Sequence, residues 1–567
     1  MKKLFIPLIA LLLAIGCTKD STENGGNGNT SGNGSGEYVP TGKITVKGTV
    51  YGSDGPLSGV VVSDGLLCVK TKENGYFEID SDLSRTKFIM ASIPSGYTAP
   101  KDKNGLPIFY QRVTDEDRTA DLCTAKFEFV KITDSDPNRY TMIIGADPQP
   151  RSSDANLDKV AFHSLDICKD LYKDMSETAA NITDREVYGM MLGDIVHENM
   201  SLYGNYITDG LSTLGFPMFN VLGNHDNDYK SKSDAEGRHS FEENLGPTYY
   251  SFNIGKQHYI VLDNLIMKLN SSGQLKDYDQ GLTDEIWQWL QNDLRYVDRS
   301  TTLMVAAHSP MFKLIEMTSD RSQSGSTKYG KDYATLLAKY AKVHAWAGHT
   351  HTTFNYVYPA GDRLASIEVH TLARSTGDLW TNEWSADGTP RGYTVVEVNG
   401  NDIKWYFKPT KYQTAKHQKS KTPEYKYRDW DYDDSGVAKM KSDGSTLSES
   451  YQMKVYKPGE YHDTYKEMID GEKKPNKYIY VDIFMWDGNW EKPKFNGTTM
   501  QPVGYGDAYS LIDYEIKSFY TFSPSDYAPS DNVLHTLFRA HVGDKSGPGT
   551  ITVKDRFGNE YSQTISW

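Results

Sequence analysis

Cysteine is scarce in this chain: 567 residues carry four. Cys17 stands alone behind an apolar run, and Cys68, Cys123 and Cys168 lie far apart. Scattered thiols of this kind lack the close pairs of a zinc or iron–sulfur site. They allow at most one disulfide, Cys68 with Cys123, or else buried free thiols. Basic charge is also short, with 61 Lys and Arg against 75 Asp and Glu for a net charge of −14, and no Lys/Arg stripe is visible. That argues against nucleic acid or an anionic lipid surface as a standing partner. It does not exclude a phosphorylated substrate, because bound divalent cations dominate the field where they sit. Long apolar runs are missing too. Leu4 to Ile15 is the longest, and it is too short to span a bilayer as a mature helix.

That run, preceded by Lys2 and Lys3, leads into Ala14-Ile15-Gly16-Cys17. It reads as a lipoprotein signal over residues 1–17, with Cys17 lipidated after cleavage; an ordinary secretory signal with an incidental Cys is the other reading. Residues 18–40 are rich in Gly, Asn, Ser and Thr, a flexible tether. The expectation is an exported protein of the bacterial cell envelope, periplasmic or on the outer membrane, touching the membrane only through its lipid anchor.

Residues 41–132 read as all-β. Ile44 to Tyr51 alternates with period two, Asp54-Gly55-Pro56 is a turn, and Asn74-Gly75 marks a hairpin. Residues 448–567 hold further short strands, among them Tyr478 to Phe484 and Thr550 to Val553, punctuated by Asp487-Gly488-Asn489 and Phe557-Gly558-Asn559. Between these β-rich ends, 138–412 alternates apolar runs with helical patterns. Leu157 to Met175 carries apolar residues at helical spacing, and 283–297 forms a helix with Thr283 as N-cap and a core stripe of Ile286, Trp289, Leu290, Leu294 and Val297. Ile403, Trp405 and Phe407 alternate in a closing strand. The layout predicts two sheets flanked by helices, a four-layer α/β/β/α sandwich, within a multidomain chain carrying an all-β sandwich on either side.

Five apolar runs in that central region end in polar clusters. They are Asp147-Pro148-Gln149, Gly193-Asp194, Gly223-Asn224-His225-Asp226, His308-Ser309-Pro310 and Gly348-His349-Thr350-His351. Open α/β sheets build their sites outside the carboxyl ends of strands. Oxygen and imidazole donors without thiolates suit two hard or borderline divalent cations.

The ordered series resembles the calcineurin-like metallophosphoesterases, whose signature runs D-x-H, G-D, G-N-H-[DE], H, G-H-x-H. The resemblance covers roughly residues 140 to 400, and it departs at the first element, where Gln149 stands for His. It implies two divalent metals (Mn, Fe or Zn). Asp147, Gln149, Asp194 and His351 would hold the first, and Asp194, Asn224, His308 and His349 the second. His225, next to the ligand Asn224, is positioned to protonate a leaving group; Asp226 either orients His225 or closes the turn. The N-terminal module resembles a transthyretin-like sandwich and reads as a spacer or docking module. The C-terminal one resembles the module that accompanies it in exported members of this family.

Arg374, Trp380 and Arg391 fall in a Gly-, Asp- and Trp-rich segment, as substrate-pocket residues or as salt-bridged surface. His197 reads as a loop histidine and His344 as structural. The expected activity is hydrolysis of a phosphate mono- or diester on a small molecule, glycan or lipid. The alternative is a non-catalytic envelope receptor for a phosphorylated or glycan ligand, with metal loading weakened by Gln149.

Overall fold

The computed structural model describes residues 41–152, 164–311, 328–358, 360, 364–377, 385, 388–412, 430–432, 437–440, 446, 451–458, 477–502 and 536–567. The signal segment, Cys17, the tether and Trp380 lie outside the described residues.

Two mixed sheets form the centre. The first orders its strands Met218–Asn220, Glu186–Met191, Arg139–Gly145, Gly392–Asn399 and Asp402–Pro409. Its first three strands run parallel, and the last two form an antiparallel hairpin. The second orders Tyr250–Ile254, Gln257–Leu262, Thr302–Ala307, Lys342–Ala347, Ile367–Thr371 and Phe354–Tyr358, parallel except at its two edges.

Period-two alternation decides what each face meets. Met142, Ile144, Met190 and Phe219 of the first sheet share one buried cluster with Tyr259, Val261, Met304 and Ala306 of the second. Phe219 lies flat on Phe252 at 3.9 Å between ring centres, and Phe252 on Tyr259 at 4.9 Å. The opposite faces take helices. Ile143, Met191 and Met218 pack with Leu165, Cys168 and Leu171 of the helix Ser164–Ala180. Ile260, Leu303 and Val305 pack with Ile286, Trp289 and Leu290 of the helix Asp284–Leu294, whose first turn is capped by Thr283. Trp289 is therefore core, as its spacing predicts. The earlier helix continues past residue 175 because Ala179 and Ala180 favour it.

The N-terminal region pairs a five-stranded sheet with a four-stranded one and adds the short helix Asp115–Ala120. It is more than a spacer. Phe109 packs on Tyr250 at 4.9 Å, Tyr249 and Asn292 donate hydrogen bonds to the carbonyls of Gly65 and Leu66 (2.8 Å each), and Lys87 pairs with Glu242 at 2.6 Å. The C-terminal region holds two four-stranded sheets. Its Arg556 reaches Glu368 at 2.6 Å, and its Gln452 donates to the Phe407 carbonyl at 2.6 Å. Among the described residues Cys68, Cys123 and Cys168 are free thiols, so the Cys68–Cys123 pairing is not formed. Among the described residues no helix is long and apolar enough to cross a membrane.

Candidate metal centre

The ends of five parallel strands converge. Asp147 and Gln149 follow Arg139–Gly145, and Asp194 follows Glu186–Met191. Asn224 follows Met218–Asn220, His308 follows Thr302–Ala307, and His349 and His351 follow Lys342–Ala347. His308 Nε2 lies 3.3 Å from Asp194 Oδ1 and 4.0 Å from Asp147 Oδ1. His351 Nε2 lies 3.4 Å from Asp147 Oδ1, and His349 Nδ1 3.2 Å from His308 Nε2. Asp147, Asp194 and His351 offer donor atoms all within 4.8 Å of one another.

The backbone is bent to achieve this. Ten described non-glycine residues have positive φ, and six of them are here: Asp147, Gln149, Asp194, Glu198, His349 and His351. Strain of this kind persists where the surroundings impose a conformation, and it clusters at functional sites. Two glycines are needed for close approach. A Cβ on Gly223 would stand 2.2 Å from the backbone N and Oδ1 of Asp194, and one on Gly348 would stand 2.3 Å from Asp147 Oδ2.

The donor set fits a divalent cation. Asn224 Oδ1 is buried with no hydrogen-bond partner among the described residues, a costly state for an amide oxygen unless an ion or water meets it. Burial opposes charge on Asp194, but His308 and His225 outweigh it and hold the carboxylate well below the usual range. Burial likewise opposes charge on His308, yet Asp194 and Asp147 push its pKa up to about 10. A shift of this kind marks negative charge concentrated at one point, an environment that suits a cation. Burial, then the charge on His308, lowers His349 to about 3, so its ring is neutral. Gln149 turns its amide nitrogen to Asp194 Oδ2, whereas a ligand role takes its carbonyl oxygen; the two amide atoms exchange by a flip.

Beside these donors stands His225, whose backbone N–H donates to Asp194 Oδ1 at 2.9 Å. Its Nδ1 is 3.4 Å from Glu198 Oε1, and Glu198 Oε2 is held by Lys276. Burial disfavours the charged ring, but Asp194 and Glu198 prevail and raise its pKa. Of the two roles open to Asp226, the contacts match turn closure. Its carboxylate accepts from Val196 N (3.0 Å), Tyr203 Oη (2.7 Å) and Gly223 N (2.8 Å), joining two ligand loops, while the carboxylate facing the His225 side chain is Glu198. Glu198 and Lys276 escaped the motif reading. Glu198 adjoins His197 in the loop after Asp194 and was legible as an acid within reach. Lys276 comes from the hairpin of Leu265–Leu269 and Leu275–Gln280, and its sequence position gives no signal.

His197 packs its ring on His225 at 4.2 Å between centres, closer to the site than a plain loop residue. Arg374 and Arg391 are 1 % and 2 % exposed, so the surface reading fails for both. The Arg374 charge reaches His197 and His225 and opposes protonation of each. His344, Glu368 and His370 form another cluster of ligand-type side chains. The two rings meet head-on, Nδ1 to Nε2 at 3.0 Å, with centres 5.3 Å apart and planes within 18°. That is an in-plane N–H···N bond. Two lone pairs converging on one ion at ~2.0–2.1 Å each need a different ring arrangement. His344 is structural, as its strand position predicts.

Three family models match the chain. "N terminal of Calcineurin-like phosphoesterase" covers residues 44–131, "Calcineurin-like phosphoesterase" 162–353, and "C terminal of Calcineurin-like phosphoesterase" 370–561. The chain belongs to the calcineurin-like phosphoesterase family. A stretch of 127 residues is 34% identical to Probable purple acid phosphatase 20 of Arabidopsis thaliana, covering 21% of this chain and 26% of that relative. The match thus spans about a quarter of the relative's length. Among solved structures, purple acid phosphatase PPD1 from yellow lupin (Lupinus luteus) seeds aligns over 62% of this chain and 67% of its own, at 12% identity and a TM-score of 0.33. PhoD aligns over 62% and 80%, at 11% identity and a TM-score of 0.34.

Proposed function

We propose that this protein is a metal-dependent phosphoric ester hydrolase that cleaves phosphate mono- or diesters at a two-metal centre. The observation that carries the reading is the convergence of Asp147, Asp194, His308, His349 and His351 from separate strand ends, with the orphaned Asn224 oxygen beside them. Asp147, Gln149, Asp194 and His351 would hold one divalent cation, and Asp194, Asn224, His308 and His349 the other, with Mn, Fe or Zn all suited to such donors. Cations bound there supply positive charge for the non-bridging phosphoryl oxygens and a nucleophilic water.

The remaining work falls to the chain. His225, whose pKa Asp194 and Glu198 raise against burial, gives its proton to the leaving oxygen. Glu198, fixed by Lys276, holds the Nδ1 side of that ring, so that Nε2 is left to face the substrate. Asp226 keeps the Asp194 and Asn224 loops in register through its three accepted hydrogen bonds. Arg374 adds a buried positive charge on the His225 side, where an anionic substrate gains from it.

In fold terms we read the centre as a four-layer α/β/β/α sandwich between two β-sandwich modules. Lys2, Lys3, the apolar run and Cys17 support export and lipid anchoring in the envelope, where the substrate would be a phosphorylated small molecule, glycan or lipid. The test is a pair of initial rates on p-nitrophenyl phosphate and bis(p-nitrophenyl) phosphate with Mn²⁺, with His225→Ala as control. A preference names the ester class, and its loss in the variant supports the acid. No turnover of either ester with any divalent metal sinks the reading.

A further inference from the structure

The hairpin of Leu265–Leu269 and Leu275–Gln280 belongs to neither central sheet and supplies none of the motif residues. It nevertheless sends two side chains into the centre. Lys276 holds Glu198, and Tyr278 places its hydroxyl 2.9 Å from His349 Nε2, with the two rings edge-on at 5.6 Å between centres.

Tautomers decide what the second contact means. The Leu192 carbonyl lies 2.7 Å from His308 Nδ1. A carbonyl only accepts, so that nitrogen carries the proton and the His308 lone pair sits on Nε2 once the ring is a ligand. His349 Nδ1 lies 3.2 Å from His308 Nε2, on the same side as Asp194 Oδ1. The His349 lone pair therefore belongs on Nδ1 and its proton on Nε2, where the Tyr278 oxygen accepts it.

We propose that Tyr278 is a positioning residue that locks His349 in the Nδ1-donor tautomer and so sets the affinity of one of the two metals. The inference rests on the two-metal reading above. A metal-bound imidazole almost always gives its other N–H to an oxygen, which fixes the ring and raises its basicity; removing such a partner typically weakens metal affinity ~10–100-fold. In most such partnerships the oxygen is a carboxylate, a backbone carbonyl or water. Here it is a phenol that the hairpin brings over the site, and Tyr278 is half-buried at its rim.

The test is calorimetric titration of the metal-stripped full chain with Zn²⁺ and with Mn²⁺, for wild type, Tyr278→Phe and Asp279→Asn. Asp279 sits on the same hairpin in an exposed pair with Lys268, so its variant controls for the hairpin itself. Phe keeps the ring and loses only the oxygen. The expected result is two sites in wild type and in Asp279→Asn, and in Tyr278→Phe one site at wild-type affinity with the other weakened at least ~10-fold. The melting temperature of the metal-free protein should be unchanged, which separates lost positioning from lost folding. Wild-type affinities at both sites of Tyr278→Phe overturn this proposal alone. A wild-type chain that takes up no divalent cation overturns the two-metal reading and this one with it.

Discussion

Glu198 Oε1 stands 3.4 Å from His225 Nδ1, and the same carboxylate is gripped from the other side by Lys276. The contact with His225, then that with Lys276, draws the Glu198 pKa down to about 2 despite partial burial. Asp194 and Glu198 together raise that of His225 against the effect of burial. With His225 in its proposed role of general acid, a raised pKa extends the protonated form to higher pH, and this pair would set the basic limb of the rate profile. Glu198→Gln should lower kcat by roughly 10-fold or more and move that limb to lower pH. A profile identical to wild type would show that Glu198 does not act on His225.

Asp226 makes a different prediction, about stability. Burial first, then the neighbouring Asp194, raises its pKa to about 7 in the metal-free fold. A carboxyl with a raised folded pKa stabilises the fold fully below its unfolded value, ~3.9, and that contribution fades as pH rises toward about 7. Metal-free protein should therefore lose stability across that window, and Asp226→Asn should flatten the slope. The same variant should be less stable by ~1–3 kcal/mol, because an amide N–H cannot replace the oxygen that accepts from Gly223 N. Urea melts at several pH values check both.

Gly348→Ala places a Cβ 2.3 Å from Asp147 Oδ2. The carboxylate has to move, and with it a proposed metal ligand. The variant should fold, with a melting temperature near wild type in the absence of metal, and should bind metal at least ~10-fold more weakly. Equal metal affinity would mean that Asp147 is not a ligand.

The flanking regions share cores with the centre: Phe109, Phe219, Phe252, Phe407 and Phe484 fall in one buried cluster. A fragment limited to residues 138–412 should therefore fail to give a cooperative melt, whereas the chain carrying both flanking regions should give one. A fragment that melts cooperatively at the wild-type temperature would restore the spacer reading of the N-terminal region.

The sequence made the candidate metal donors legible because each follows an apolar run whose length and composition announce a strand, and strand ends are where sites form. The helix at Asp284–Leu294 was equally plain from its cap and stripe. What escaped depends on contacts distant in sequence. Tyr278 meets His349 across 71 positions, and Lys276 meets Glu198 across 78. Both hairpin residues look like the exposed polar side of a strand. Burial of Arg374 and Arg391 was hidden for the same reason, since an arginine in a polar segment carries no mark of what covers it.

The most direct measurement follows p-nitrophenyl phosphate hydrolysis while metal-stripped protein is titrated with Mn²⁺. Two cooperating cations predict a rate that stays near background through the first equivalent and rises with the second, and that His225→Ala holds down at full loading. Full rate without metal, full rate at one equivalent, or no hydrolysis at any loading would contradict the account.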